Sequence, residues 1–216
     1  MTDDSTQAAV RPIQTEYRGH LFRSRLEARW AVFFDALGVE WRYEPEGYET
    51  PHGRYLPDFW LPSIGLLVDV KPMCGWPDRR LEAVASHLNA RATILGPIPD
   101  PERLRTLAYA HCQEQSVWCD IGDAWDLWEM EWTSPVAYPD GGGDEGPFAW
   151  CACTACDAVG FEFEGRVCRS RTHEAGCVVK AGSDKRPRTP AHPRILSAYR
   201  AARSARFEHG QIGRML

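Results

Sequence analysis

Two neighbouring stretches, YLPDFW at residues 55–60 and LLVDVK at residues 66–71, decide the fold. Both are rich in aromatic and β-branched residues and are bounded by Pro or Gly, which is typical of short β-strands. The connection between them is short enough to pair the two strands antiparallel. The sequence therefore predicts a β-hairpin at this point of the chain.

Three charged side chains come together on this hairpin. Side chains alternate between the two faces of a strand, so Asp69 and Lys71 project together while their apolar neighbours point into a core. Asp58 can reach the same place from the partner strand. Two carboxylates and one ammonium are costly to bury unless something offsets them, and a divalent cation is the usual solution. The pattern predicts a metal site.

A helix is predicted before the hairpin. It begins at Ser24, which stands three residues before Glu27 in the spacing of a capping box, and it ends at Gly38. Further elements follow as a three-stranded meander, a second helix and a fourth strand. Their predicted ranges are 39–43, 48–62, 65–71, 77–89 and 92–95. This order, α-β-β-β-α-β, predicts an α/β domain with a mixed sheet flanked by helices.

Charge is unevenly distributed along the 216 residues. Residues 178–216 carry nine Lys or Arg and two acidic residues, a balance of +7, whereas the rest of the chain has a balance of −12. A basic C-terminal part on an acidic body indicates an anionic partner, with nucleic acid, DNA above all, as the first candidate. A solvated tail without a partner is the alternative.

The apolar runs predict no membrane partner. No run approaches the ~18 apolar residues of a membrane span, and the N-terminus shows no signal-peptide pattern. We therefore expect a cytoplasmic protein.

Five of the eight cysteines lie between residues 151 and 177. Two Cys or His pairs in this segment have the spacing of a tetrahedral zinc site, which would be closed and structural with four protein ligands. Ordinary thiols in a small core are the alternative, but the segment has few apolar residues with which to fold unaided. The predicted ligands are Cys153, Cys156, His173 and Cys177, with Cys151 or Cys168 as alternatives.

A basic helix is predicted near the C-terminus, over residues 194–207. Its arginines have two interpretations: contacts to phosphates, or a solvated face of an amphipathic helix packed on the zinc module. Tyr199 and Phe207 are expected in a core rather than as base-stacking residues. The candidate nucleic-acid-binding residues are Arg194, Arg200, Arg203 and Arg206.

The hairpin in its context resembles the PD-(D/E)xK nuclease superfamily. The motif is Pro-Asp58, ten intervening residues, then Asp69-Val-Lys71, and Glu27 on the preceding helix matches the acidic first motif. The resemblance covers roughly residues 17–96 and includes element order as well as residue type. It implies a restriction-endonuclease-like fold and metal-dependent hydrolysis of DNA.

The resemblance also implies a role for each residue. Asp58, Asp69 and the Val70 carbonyl would bind Mg²⁺ or Mn²⁺, and Glu27 would complete the acidic shell directly or through water. Lys71 would orient the attacking water and stabilise the developing negative charge.

Two alternatives remain open. The capping box explains Glu27 equally well. A degenerate fold that binds nucleic acid without cleaving it is the alternative function.

The sequence thus predicts a nuclease-like domain followed by a zinc module and a basic tail. An acidic, Trp-rich stretch at residues 117–132 is a candidate surface for a protein partner. By analogy with the family, this organisation suits a phage, mobile-element or DNA-repair protein. The predicted units are a disordered lead at 1–16, the nuclease-like domain at 17–138, a Gly-rich linker at 139–149, the zinc module at 150–180 and the tail at 181–216.

Overall fold

The computed structural model of the chain describes residues 13–72, 77–103, 134–137, 143–153, 156–163 and 188–207. These residues form a mixed α/β structure, in which one sheet contains both parallel and antiparallel strand pairs and is flanked by helices. The α/β class predicted from the sequence is confirmed at this level.

The described helices are α1 (Arg25–Leu37), α2 (Arg79–Leu88) and α3 (Pro193–Ser204). The described strands are β1 (Thr15–Tyr17), β2 (His20–Phe22), β3 (Arg42–Tyr43), β4 (Tyr48–Thr50), β5 (Gly53–Tyr55), β6 (Phe59–Leu61), β7 (Leu66–Val70), β8 (Arg91–Leu95), β9 (Ser134–Ala137), β10 (Gly143–Cys153), β11 (Val159–Phe163) and β12 (Arg188–Thr189). Strands β1 and β2 pair with each other, as do β4 and β5. The others form one sheet in the order β11-β10-β9-β8-β7-β6-β3, with β12 paired to β10.

Strand β7 lies in the interior of this sheet. It pairs antiparallel with β6, with Phe59 opposite Val68, and parallel with β8, with Asp69 opposite Ile94. All five of its residues are buried, as its four apolar residues predict for an interior strand covered on both faces. The predicted hairpin between β6 and β7 is confirmed.

Helices α1 and α3 pack on one face of the sheet through aromatic side chains. Phe33 of α1 stacks on Tyr199 of α3 with ring centroids 4.5 Å apart and meets Trp150 of β10 edge-on at 5.4 Å. Tyr199 and Phe207 are both buried, so their predicted core position is confirmed. The C-terminal helix therefore shares its core with the helix that carries Glu27.

Helix α2 covers the opposite face of the sheet. Its side chains Leu81, Val84 and Ala85 pack in one apolar cluster with Leu67 of β7 and Ile94 of β8. Asp78 begins this helix by accepting hydrogen bonds from two backbone N–H groups of its first turn. Helices α1 and α3 on one face and α2 on the other cover β7, so Asp69 is buried although it is charged.

Local departures from the predicted elements have identifiable causes. The strand predicted at 39–43 shortens to β3, and residues 48–55 form the separate hairpin β4–β5 because the chain turns at residues 51–52 before Gly53, whose φ is +107°. Residues 15–16 belong to β1 instead of a disordered lead. Residues 143–149 belong to β10 instead of a linker, since a register shift in the β9–β10 pairing accommodates this Gly-rich segment.

Some predictions fall outside the described residues. These are the zinc ligands His173 and Cys177, the alternative ligand Cys168 and the Trp-rich stretch at 117–132. Within the part of the chain that is described, no helix is long and apolar enough to cross a membrane.

Gly38 ends α1 in a left-handed conformation, with φ of +66°. A Cβ at this position would meet no closer atom than Arg194 at 3.5 Å, so replacement by Ala costs backbone strain and no steric clash. We expect Gly38→Ala to lower the free energy of unfolding by about 1 kcal/mol, measured by urea denaturation. Gly47→Ala is the control, because Gly47 lies in open space without a left-handed φ. Equal stability of the two variants would contradict this explanation of the helix end.

Candidate active site

Asp58, Asp69 and Lys71 meet where β6 begins and β7 ends. Because the two strands are antiparallel, the residue before β6 lies opposite the last residues of β7. The backbone N–H of Asp58 lies 3.3 Å from Asp69 Oδ1, and the N–H of Val70 donates to Asp58 Oδ2 at 2.7 Å. Lys71 Nζ lies 3.0 Å from Asp69 Oδ2 and 4.0 Å from Asp58 Oδ2. The structure thus brings these three predicted residues into one group.

Burial makes this group electrostatically unusual. Asp58 is 7% exposed and Asp69 is 2% exposed, whereas the Lys71 side chain is 49% exposed. Burial, reinforced by the charge of Asp69, raises the pKa of Asp58 to about 7 despite the Val70 N–H and Lys71. Burial alone lowers the pKa of Lys71, but the charges of Asp69 and Asp58 outweigh it and raise that pKa. Above about pH 7 two buried carboxylates therefore face one ammonium, which leaves negative charge uncompensated.

Glu27 is held by the N-terminal turn of α1. Ser24 Oγ donates to Glu27 Oε1 at 2.6 Å, and Glu27 Oε2 accepts from the Arg23 N–H at 3.1 Å and from the Tyr43 hydroxyl at 2.7 Å. The Glu27 N–H in turn donates to Ser24 Oγ, so the predicted N-cap at Ser24 and its pairing with Glu27 are confirmed, but the Glu27 side chain reaches back to the Arg23 N–H instead of the Ser24 N–H of a full capping box. The charge of Glu27 still reaches the site, where it contributes to the raised pKa of Asp58. Its role as a metal ligand stays a prediction.

Tyr55 is a site residue that sequence reasoning missed. Its hydroxyl donates to Asp69 Oδ2, the oxygen that also faces Lys71. The sequence places Tyr55 three residues before Asp58, where it looks like an ordinary apolar strand residue. Only the separate hairpin β4–β5 brings its hydroxyl to Asp69, and that hairpin was predicted as part of one longer strand.

The carboxylate pair suits a small divalent cation. No group of three or more His, Cys, Asp or Glu residues is placed for a metal ion in the described part of the chain. Mg²⁺, however, is commonly held by one or two carboxylates, with water and substrate phosphate supplying the remaining ligands. Asp58 and Asp69, buried side by side with uncompensated charge, fit that requirement.

Cys153 ends β10, and Cys156 precedes β11. The Asp157 N–H donates to the Cys153 carbonyl at 2.9 Å, and the Ala158 N–H points at Cys156 Sγ at 3.4 Å. Cys153 is buried and Cys156 is exposed. The zinc site stays a prediction.

The arginines of α3 contact the protein itself. Arg194 donates to the carbonyls of Leu37 and Asp157, Arg203 donates to the carbonyl of Ile98, and Arg200 pairs with Glu102. These contacts favour a structural role, in which the arginines hold α3 against neighbouring parts of the protein. The side chain of Arg206 is exposed. Phosphate binding by the four arginines stays a prediction.

Comparison of the chain with known protein families, with curated proteins and with solved structures gives no match. The functional argument therefore depends on the geometry and chemistry of the Asp58, Asp69 and Lys71 group.

The raised pKa of Asp58 predicts a pH-dependent stability for the metal-free protein. Between pH 4 and pH 7 the folded state keeps a proton on Asp58, whereas the unfolded state has lost it at the ordinary value of 3.8. Unfolding then releases a proton, so the free energy of unfolding falls as the pH rises through this window and levels off above about 7. We expect Asp58→Asn to remove this fall, measured by thermal unfolding in EDTA between pH 5 and pH 8. Parallel profiles for the variant and the wild type would contradict the assignment.

Proposed function

We propose that this protein is a metal-dependent endonuclease that hydrolyses phosphodiester bonds of DNA. One observation carries the proposal: two buried carboxylates, Asp58 and Asp69, lie together beside a half-exposed Lys71. Burying this negative charge costs stability, and its placement next to an accessible ammonium is suited to binding a cation and then a phosphate.

The order of elements supports a restriction-endonuclease-like fold for residues 17–96. In chain order, the main-sheet strands after α1 are β3, β6 and β7, with the separate hairpin β4–β5 between β3 and β6, and α2 and β8 follow. In the sheet these main-sheet strands lie in the order β3-β6-β7-β8, antiparallel except for the last pair. Apart from the β4–β5 hairpin, this matches the α-β-β-β-α-β order that the sequence motif implies, and the acidic residues lie where β6 begins and β7 ends.

Each side chain has a distinct proposed task. Asp58 and Asp69 hold the cation, with the Val70 carbonyl as a further ligand, and Glu27 acts on the site through its charge or through water. A bound Mg²⁺ or Mn²⁺ would lower the pKa of a water molecule and neutralise charge on the phosphate. Lys71 keeps its proton because both carboxylates raise its pKa, so it can donate to the attacking water or to a phosphate oxygen.

Two further features support nucleic acid as the substrate. The C-terminal 39 residues have a balance of +7, and Arg206 presents an exposed guanidinium beyond α3. Zinc at the cysteine segment is proposed as a structural ion of the same C-terminal part. The basic segment and the zinc module would then hold the DNA while the carboxylate pair cleaves it.

A substrate panel tests the proposal. Labelled duplex, branched and single-stranded DNA and the matching RNA are incubated with the wild type in Mg²⁺, in Mn²⁺ and in EDTA, and both binding and cleavage are measured. We expect cleavage of at least one DNA only with a metal ion, and binding that weakens as salt rises. Binding without cleavage on every substrate would favour the alternative function, a nucleic-acid-binding protein that uses the fold as a scaffold. The engagement of Glu27 by Ser24 and Tyr43 is the observation that favours this alternative.

A further inference from the structure

Tyr55 reaches the candidate active site from outside the main sheet. It lies in hairpin β4–β5, whose strands pair only with each other in the described structure. Its hydroxyl nevertheless donates to Asp69, a residue that is 2% exposed. A tyrosine hydroxyl on a buried carboxylate constrains the orientation of that carboxylate.

The hydrogen bonds of Asp69 are divided unequally between its two oxygens. Among the described residues, Oδ2 receives the Tyr55 hydroxyl and faces the Lys71 ammonium at 3.0 Å, while Oδ1 receives the backbone N–H of Asp58 at 3.3 Å. A carboxylate oxygen has room for about two donors. Oδ2 is therefore saturated, and the remaining acceptor capacity of Asp69 is at Oδ1, on the side of Asp58.

Tyr55 is itself held in place. Its ring lies under the guanidinium of Arg80, 5.0 Å from the ring centroid, and Arg80 is paired with Asp78 at the start of α2. Contacts at both the ring and the hydroxyl therefore hold Tyr55 in place.

We propose that Tyr55 is a positioning residue that aims Oδ1 of Asp69 at the cation by occupying Oδ2 together with Lys71. This inference rests on the proposed metal-dependent function. Groups that hydrogen-bond a metal ligand fix its orientation, and their removal typically weakens metal binding or activity about 10–100-fold. Tyr55 would act through Asp69 and needs no contact with the substrate.

The test is the affinity of the metal-free protein for Mn²⁺, measured from the EPR signal of the unbound ion. We expect Tyr55→Phe to weaken Mn²⁺ binding about 10–100-fold. Tyr48→Phe is the matched control, because Tyr48 is the cross-strand partner of Tyr55 in the same hairpin and its ring lies against His87. We expect Tyr48→Phe to bind Mn²⁺ like the wild type. Thermal unfolding of both variants checks that the hairpin stays folded.

A double-variant comparison separates positioning from a general loss of structure. If Tyr55 acts through Asp69, then Tyr55→Phe should have no further effect on Mn²⁺ affinity in an Asp69→Asn background. Unchanged affinity in Tyr55→Phe, or equal losses in Tyr48→Phe and Tyr55→Phe, would overturn the inference while leaving the proposed function intact. A wild type that binds no Mn²⁺ would overturn the proposed function and this inference together.

Discussion

Replacing Lys71 by Met should lower the rate of DNA cleavage about 10²–10³-fold while the protein stays folded. The ammonium is the positively charged group beside the carboxylate pair, 3.0 Å from Asp69, and half of its side chain is exposed to an incoming substrate. Methionine keeps the length and the apolar stem of the side chain but removes both the charge and the donor. The rate is measured under single-turnover conditions with enzyme in excess, so that the chemical step is observed.

A charge-matched control identifies the cause of the loss. Arg54→Met also removes one positive charge, from an exposed ion pair with Glu49 in hairpin β4–β5, and should leave the rate unchanged. The loss in Lys71→Met should persist at saturating DNA, because it affects the developing charge in the transition state more than binding of the substrate. A rate that recovers fully at high DNA concentration would mean that Lys71 only binds DNA.

Replacing Asp69 by Asn should weaken Mn²⁺ binding by on the order of 100-fold or more. The amide is nearly the same size as the carboxylate. It is neutral, however, and its NH₂ group does not coordinate a metal ion. Burial raises the pKa of Asp58 most, and loss of the Asp69 charge removes the second cause, so the variant carries less buried negative charge and should remain folded at neutral pH. The affinity is measured by calorimetry or by EPR.

Asp35→Asn is the structural control for this substitution. Asp35 also accepts a hydrogen bond from a tyrosine hydroxyl, that of Tyr17 at 2.8 Å, but it lies in the last turn of α1, at the opposite end of the helix from Glu27. The substitution should leave Mn²⁺ affinity unchanged even though it disturbs a similar contact. Equal losses of affinity in Asp69→Asn and Asp35→Asn would show that the ion binds elsewhere or that both variants are misfolded.

Features fixed by neighbouring residues could be predicted from the sequence. The N-cap at Ser24 with its Glu27 pairing, the helix end at Gly38 and the hairpin that brings Asp58 to Asp69 all depend on residues close in sequence. The residue types and their spacing are therefore sufficient to predict these helix ends and this hairpin. The same holds for the interior position of β7, which its apolar residues on both faces indicate.

Features that depend on distant contacts could not be predicted in this way. Tyr55 contacts Asp69 only because β4 and β5 fold back as a separate hairpin, and no periodicity distinguishes its hydroxyl from that of other strand tyrosines. The arginines of α3 have a pattern that fits either phosphates or carbonyls. Their actual partners, such as Leu37 for Arg194 and Ile98 for Arg203, lie far away in the sequence. Tertiary packing determines these contacts.

Cleavage of supercoiled and branched DNA is the most direct test of the central claim that the Asp58, Asp69 and Lys71 group is a metal-dependent phosphodiesterase site. The wild type and the double variant Asp69→Asn/Lys71→Met are purified in the same way and assayed in Mg²⁺, in Mn²⁺ and in EDTA. We predict cleavage by the wild type that requires a metal ion and is absent in the double variant. Equal cleavage by both proteins, or no cleavage by the wild type with any metal ion, would contradict the claim.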